Sequence, residues 1–389
     1  MKNERVSKEL FFDNFGDAAT ETMFSHGRLE ILGNHTDHNH GLSLVAAASI
    51  GITATFAKRD DGFIRFKSDG YPMIDLDLSD LEIREQEKGT SAGIVRGVCR
   101  RMKELGYNIG KGFSAAAASD IFPGAGVSSS ACFESLIVGI LSHLYNEDKV
   151  SPLEMAKIGQ YAENVYFGKP CGILDQIGTS FGGLCYVDFK DPNNPVVEPL
   201  PFPFHFDVVL INTGGSHANL TPYYASIPQD MKEVAQAVFG KEYLREVNPS
   251  DFMAGIARPT VGVSERAKLR AQHFFDENLR VLSARKAIFD NDPLSFLDAV
   301  IKSQFSSKVF LANTMVPDQY AGSPQECVDL ASPYAEGGAV RIMGGGFAGS
   351  CIAFIPRNAT ARFITKMEKV YGRGNVLKME MPEGGPRVI

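Results

Sequence analysis

Residues 124–131 read GAGVSSSA: Gly124, Ala125, Gly126, Val127, Ser128, Ser129, Ser130 and Ala131. The segment before it, Phe113 to Ile121, is rich in small residues and predicts a strand. After it, Phe133, Leu136, Ile137, Ile140, Leu141 and Leu144 recur at helical spacing, which predicts a helix starting close to Ser128. Glycines let a backbone approach a ligand closely. A helix start offers unpaired N–H groups and the positive end of the dipole, which together make a phosphate cradle. Three serine hydroxyls add donors, and one can ligate Mg²⁺. A glycine turn with serine N-caps is the local alternative. No GxxxxGK[ST] occurs, so this is no Walker loop.

Outward from this segment, Ile50 to Phe56 also predicts a strand. Ser151-Pro152-Leu153-Glu154 is a capping box that opens a helix running to about Phe167. Residues 191–204, DPNNPVVEPLPFPF, hold five of the 20 prolines, a density that forbids a helix or a central strand. This stretch is therefore read as a connection. Beyond it come a strand at Phe206 to Asn212 and helical patterns near 229–239, 264–287, 293–305 and 360–371. A β pattern spans Ala339 to Ile355. The sum is an α+β fold in two lobes, 1–190 and 205–389, joined through 191–204. A length of 389 residues exceeds one ordinary hydrophobic core.

Charge narrows the function. There are 39 basic and 46 acidic residues, net −7, so no basic excess exists to bind nucleic acid or an anionic membrane. An anionic ligand would need a local device. The N-terminal residues lack a signal-peptide pattern, and the apolar stretches around Leu42 to Phe56 and Leu136 to Leu144 are shorter than a membrane span. The six cysteines are scattered without a CxxC, as suits reduced thiols. The expectation is a cytoplasmic protein.

Three more segments carry chemistry. His26 to His40 packs four of eight His with Arg28, Glu30, Asn34 and Asp37. A metal site is one reading, but the spacing is no zinc signature. Asn, Thr and Asp suit hydrogen bonds to hydroxyls, and Arg28 is a fixed cation, which suggests a polyol or sugar held near an anion. Glu163 lies on the helix opened by the capping box, and Asp175 is flanked by apolar residues, so it reads as a partly buried carboxylate. Gly344-Gly345-Gly346-Phe347-Ala348-Gly349 fits GxGxxG. A strand, not a helix, follows it, so a bend between strands is favoured over a dinucleotide loop.

Together these segments resemble the GHMP small-molecule kinases, most closely their galactokinase branch. GRLEILGNHTDHNHGLSL resembles GRxNxIGEHTDYNxGxxL, GAGVSSSA resembles GxGLSSSA, AENxxxGKPCGILDQ at 162–176 resembles AExxFxGxxCGIMDQ, and RIMGGGFAGS at 341–350 resembles RMTGGGFGGC. Four ordered motifs cover nearly the whole chain. The resemblance implies an ATP-dependent sugar 1-kinase with a ribosomal-S5-like N-terminal lobe, a ferredoxin-like C-terminal lobe and the site in the cleft. It implies that residues 124–131 cradle ATP and that Ser130 and Glu163 hold Mg²⁺. Asp175 then acts on the sugar's anomeric hydroxyl, and Arg28 faces the transferred phosphoryl group. Asn34, His35, Asp37, Gly172 and Tyr224 contact the sugar, and Gly344, Gly345 and Gly346 close the site. Sugar and MgATP are the expected partners, and a monomer is expected. Asp175 beside Arg28 should ionise readily, which makes it a weak base.

Some positions depart from the motifs. Asn34 stands where the branch carries the Glu that contacts the sugar near its C6 hydroxyl, and Glu30 stands where it carries Asn. Loss of a carboxylate at 34 would lessen repulsion toward a uronic acid, so a galacturonate kinase is the leading alternative, with N-acetylgalactosamine and L-arabinose kinases beside it. His26, His38, Pro123, Ala348 and Ser350 also differ. Some relatives bind sugar and ATP without turnover. Ser130-Ala131 together with Arg28, Glu163 and Asp175 favours an enzyme over such a sensor.

Overall fold

The computed structural model describes residues 2–122, 124–215, 220–258 and 262–389. Pro123 lies outside them. Helix α1 (Lys2–Phe15) precedes strands β1 (Glu21–Leu32), β2 (Leu42–Lys58), β3 (Phe63–Ser68) and β4 (Met73–Asp77). Then come α2 (Ser91–Glu104), β5 (Phe113–Ser119), α3 (Ser129–Tyr145), α4 (Pro152–Tyr161) and α5 (Leu174–Phe181). Strands β6 (Leu184–Asp188), β7 (Val196–Leu200) and β8 (Phe206–Asn212) follow. The second half holds α6 (Thr221–Phe239), α7 (Pro249–Ile256), α8 (Glu265–Phe289), α9 (Pro293–Ser306) and α10 (Pro324–Ala331). It ends with β9 (Ala339–Ile342), β10 (Ser350–Pro356), α11 (Thr360–Tyr371), β11 (Val376–Met379) and β12 (Arg387–Val388).

The long apolar run of β2 organises the first sheet, ordered β12-β1-β2-β5-β3-β4. Its C-terminal half pairs with β5, from Ile52↔Ser119 to Lys58↔Phe113. Its N-terminal half pairs with β6, from Leu42↔Asp188 to Ala46↔Leu184. Alternation divides the faces as a pleated strand requires. Phe56, Ala115 and Ala117 join the core under α2 and α3, while Ala57 and Ala116 pack on Phe11 of α1. In the second sheet, β11-β8-β10-β9, Val208, Leu210, Ile352 and Phe354 face the first sheet. Val209, Ile211, Ala353 and Ile355 face α10 and α11. One buried cluster thus runs from Leu29, Leu44 and Ala46 of the first sheet to these residues, and the lobes share a core.

Two elements cross the expected lobe limits. The proline-rich stretch contains β7, which among the described residues pairs with β6 alone and carries Pro199. An edge strand tolerates proline because one side of its backbone needs no ladder partner. The C-terminal strand β12 returns to pair with β1 through Met23↔Val388 and Phe24↔Arg387. The capping box at Ser151 and Glu154 is formed in both directions. The helix it opens ends in a π-helical turn, Ala162–Phe167, that carries Glu163.

Candidate functional site

Strand β1 carries the cation. Its pairing with β2 shifts between His26 and Arg28, and there the Arg28 N–H donates to Val127 O at 2.8 Å. The segment expected to cradle phosphate is thereby tied to the strand. The Arg28 guanidinium then bridges three elements: Nε donates to Asp175 Oδ1 at 2.6 Å, and NH1 donates to the Gly126 carbonyl. Asp175 stands in the first turn of α5 and also accepts from Ser128 Oγ at 2.8 Å. Burial pushes its carboxyl up, but the Arg28 charge and the hydrogen bonds from Arg28 and Ser128 outweigh that and hold it below the usual range. Asp175 is therefore an ionised group poised at Arg28.

The segment 124–131 is bent as a cradle requires. Gly124, Gly126 and Ser128 all have positive φ, at 78°, 67° and 58°. Ser128 precedes α3 in the left-handed region and does not cap it by its side chain, and its hydroxyl donates to Asp175 instead. Ala125 and Val127 are buried, and Ser350 of β10 donates to Ala125 O at 2.8 Å. Ser350, one of the motif departures, thus anchors the loop from the second sheet. The N-terminal N–H groups of α3, from Ser129 on, remain for an anion.

Ser130 Oγ donates to Glu163 Oε1 at 3.1 Å, so the two expected metal ligands meet. Glu163 Oε1 also accepts from Lys169 Nζ at 3.1 Å, and Oε2 accepts from Gln176 Nε2 at 2.9 Å and from the Cys171 thiol at 3.2 Å. Gln176 binds Glu134 Oε2 as well, at 3.0 Å. Burial, and then the Glu163 charge, push the Glu134 carboxyl well up. Sequence reasoning missed Gln176, Lys169 and Glu134. Gln176 and Lys169 stand in the quoted motif and so gave a local signal, whereas Glu134 gave none.

The remaining expected residues surround the loop after β1. Asp37 opens a short 3₁₀ turn (Asp37–Asn39) and faces Gly172, where an added Cβ would overlap Asp37 Oδ2. Burial and the nearby Glu30 and Asp175 charges raise the Asp37 carboxyl to about 6, against backbone N–H bonds that lower it. The glycines at 344–346 form the expected bend between the antiparallel β9 and β10. They knit to the residues expected at the sugar: Asn34 Nδ2 donates to Gly344 O at 2.6 Å, His35 Nε2 lies 2.9 Å from Gly345 O, and Tyr224 OH donates to Gly346 O at 3.0 Å. The Tyr224 ring lies so close that a Cβ on Gly345 would come within 2.7 Å of it. Asn34 is wholly buried. Besides Gly344 it donates to Glu30 Oε1 at 2.8 Å, and its Oδ1 accepts from Asn313 at 2.8 Å. His273 supports the same loop through Asn34 O at 2.8 Å. Asn313 and His273 lie far away in sequence and carried no motif. Among the described residues no group of three or more His, Cys, Asp or Glu is placed to hold a metal, and the His26–His40 cluster makes none.

A bent glycine–serine loop at a helix start, an Arg28–Asp175 ion pair and a neighbouring Asp37 bring together groups suited to moving a phosphoryl group to a hydroxyl. Comparison with known proteins agrees. A model of the GHMP kinases' N-terminal domain matches residues 93–183, and one of the galactokinase galactose-binding signature matches residues 9–58. The galactokinase of Actinobacillus pleuropneumoniae serotype 5b is 31% identical over 358 residues, covering 92% of this chain and 90% of that protein. The galactokinase of Lactococcus lactis subsp. cremoris is 30% identical over 374 residues, covering 93% and 90%. The crystal structure of Lactococcus lactis galactokinase complexed with galactose superposes with a TM-score of 0.83 at 26% identity, over 98% of each chain. An L. major mevalonate kinase, at 15% identity and a TM-score of 0.62, shares the fold. The chain belongs to the galactokinase family of GHMP kinases and is a phosphotransferase acting on a sugar hydroxyl.

Proposed function

We propose that this chain transfers the γ-phosphoryl group of ATP to O1 of galactose. The observation that carries the residue roles is the contact of Asp175 with both Arg28 and Ser128 at the edge of the phosphate loop. In-line phosphoryl transfer asks the protein for positioning and charge stabilisation more than for covalent help. The N–H groups at the start of α3 hold phosphate oxygens. Arg28 spreads the charge that builds up on the moving group. Asp175, ionised at neutral pH, orients the anomeric hydroxyl and accepts its proton as the bond forms. Asp37, His35 and Tyr224 hold the sugar, with Gly172 leaving room for the Asp37 carboxylate.

Ser130 and Glu163 suit Mg²⁺. Their oxygens lie 3.1 Å apart. Adjacent ligands of an octahedral ion with metal–oxygen distances of about 2.1 Å lie about 3.0 Å apart. The ion would neutralise phosphate charge when bound and would take its other ligands from phosphate and water. Coupled ADP release over galactose, N-acetylgalactosamine, L-arabinose, galacturonate and glucose tests the reading. Galactose is expected to give the highest kcat/KM, and no ADP release with any sugar would remove the enzymatic reading.

A further inference from the structure

Position 34 lacks the motif's carboxylate, yet the carboxylate has not left the site. Glu30 and Asn34 are the two places where Asn and Glu stand exchanged relative to the motif. In the fold they touch: Asn34 Nδ2 donates to Glu30 Oε1 at 2.8 Å. The two departures are therefore one exchange, and the amide–carboxylate pair survives with its members swapped. Asn34 spends both amide hydrogens on Glu30 Oε1 and Gly344 O and accepts from Asn313, so its buried side chain offers a ligand nothing. Glu30 differs. Its Oε1 is held by Asn34, with Arg341 NH2 3.5 Å away, while its Oε2 has no hydrogen-bond partner among the described residues. Its charge reaches Asp37 and His35, two of the residues expected at the sugar.

We propose that Glu30 is a specificity residue of the acceptor pocket, accepting a hydrogen bond from a neutral sugar hydroxyl and repelling sugars that carry a carboxylate. This deepens the proposed function and rests on it for the identity of the neutral sugar. The physical argument is one of charge. Glu30 lies near enough to Asp37 for its charge to act there, and the nearby cations are already engaged, Arg341 by Glu30 itself and Arg28 by Asp175. A hydroxyl donates to such a pair, whereas an added carboxylate meets two like charges whose neighbouring cations are already taken.

Two measurements test it. On the unmodified chain, galacturonate and its uncharged amide are compared as inhibitors of galactose turnover. The amide is expected to bind at least about ten-fold more tightly, and equal inhibition overturns the proposal. In Glu30→Gln, checked for an unchanged melting curve, galactose KM is expected to rise about ten-fold with kcat held within about three-fold. The double variant Glu30→Asn/Asn34→Glu is expected to recover most of that loss. A single variant with wild-type KM, or a double variant no better than the single, overturns it. If the chain turns over no galactose, the proposed function fails separately, and calorimetric binding of galactose against galacturonate still reads the charge selection.

Discussion

Replacing Asp175 by Asn removes one charge and little else. The remaining side-chain oxygen can still accept from Arg28 Nε, and the new amide can donate to Ser128 Oγ where a carboxylate oxygen now accepts. The fold loses only the electrostatic part of the pair. Arg28's side chain is 9% exposed, but Asp175's is 36% exposed, so water screens the interaction from the carboxylate side. We therefore expect a cost of about 1–2 kcal/mol, below the roughly 3–5 kcal/mol of breaking a fully buried pair. That corresponds to a fall in Tm of at most several degrees, since about 1 kcal/mol moves a large domain by about 2–4 °C. Turnover should respond on another scale. A group that accepts the substrate's proton contributes about 10²–10⁴-fold, or roughly 3–5 kcal/mol of barrier. Coupled ADP release with saturating galactose and ATP gives kcat, and calorimetry gives the ATP Kd, expected to stay within a few-fold. A variant that keeps kcat within ten-fold of wild type at an unchanged Tm would refute the role given to Asp175.

Asp37→Asn should do the opposite to stability. The folded Asp37 carboxyl is raised to about 6, so the ionised form is disfavoured in the fold, and stability is lost as pH rises from about 4 through 6. The amide mimics the protonated form, so the variant should melt higher at pH 8, by on the order of 1–2 kcal/mol, and lose that advantage near pH 4. It should also raise galactose KM. Gly172→Ala, whose Cβ overlaps Asp37 Oδ2, should raise galactose KM about ten-fold while leaving ATP KM unchanged; equal effects on both would count against the pocket assignment. Glu163→Gln keeps bonding capacity for Ser130 but weakens cation binding, so half-maximal activity should need at least several-fold more Mg²⁺. An unshifted Mg²⁺ titration would argue against Glu163 as a ligand.

Much of this site was legible in the sequence because its parts are local. The helix at Ser128, the capping box at Ser151 and the bend at Gly344 each follow from spacing, capping or glycine chemistry within a few residues. Strand β8 follows from a short apolar run and is found at the expected bounds. What was not legible depends on distant pairing. The polar run His26 to His40 points to chemistry and not to a strand, yet its first part is the buried strand β1, whose polar side chains are satisfied by Arg387 and Asp175 from distant parts of the chain and by Asn34 four residues beyond Glu30. Strand β7 tolerates Pro199 because it is an edge, and β12 was too short to carry a period. Glu30 and Asn34 looked like two separate departures, and only their contact shows one exchange.

Phosphate transfer to O1 of galactose is the centre of this account, and the product reads it most directly. Incubating the protein with MgATP and galactose and recording the phosphorus and proton spectra of the product should show one new sugar phosphate. Its phosphorus should couple to the anomeric proton, and it should form in step with ADP. ADP formation without a sugar phosphate, phosphate on another hydroxyl, or turnover of galacturonate with galactose left untouched would contradict the account.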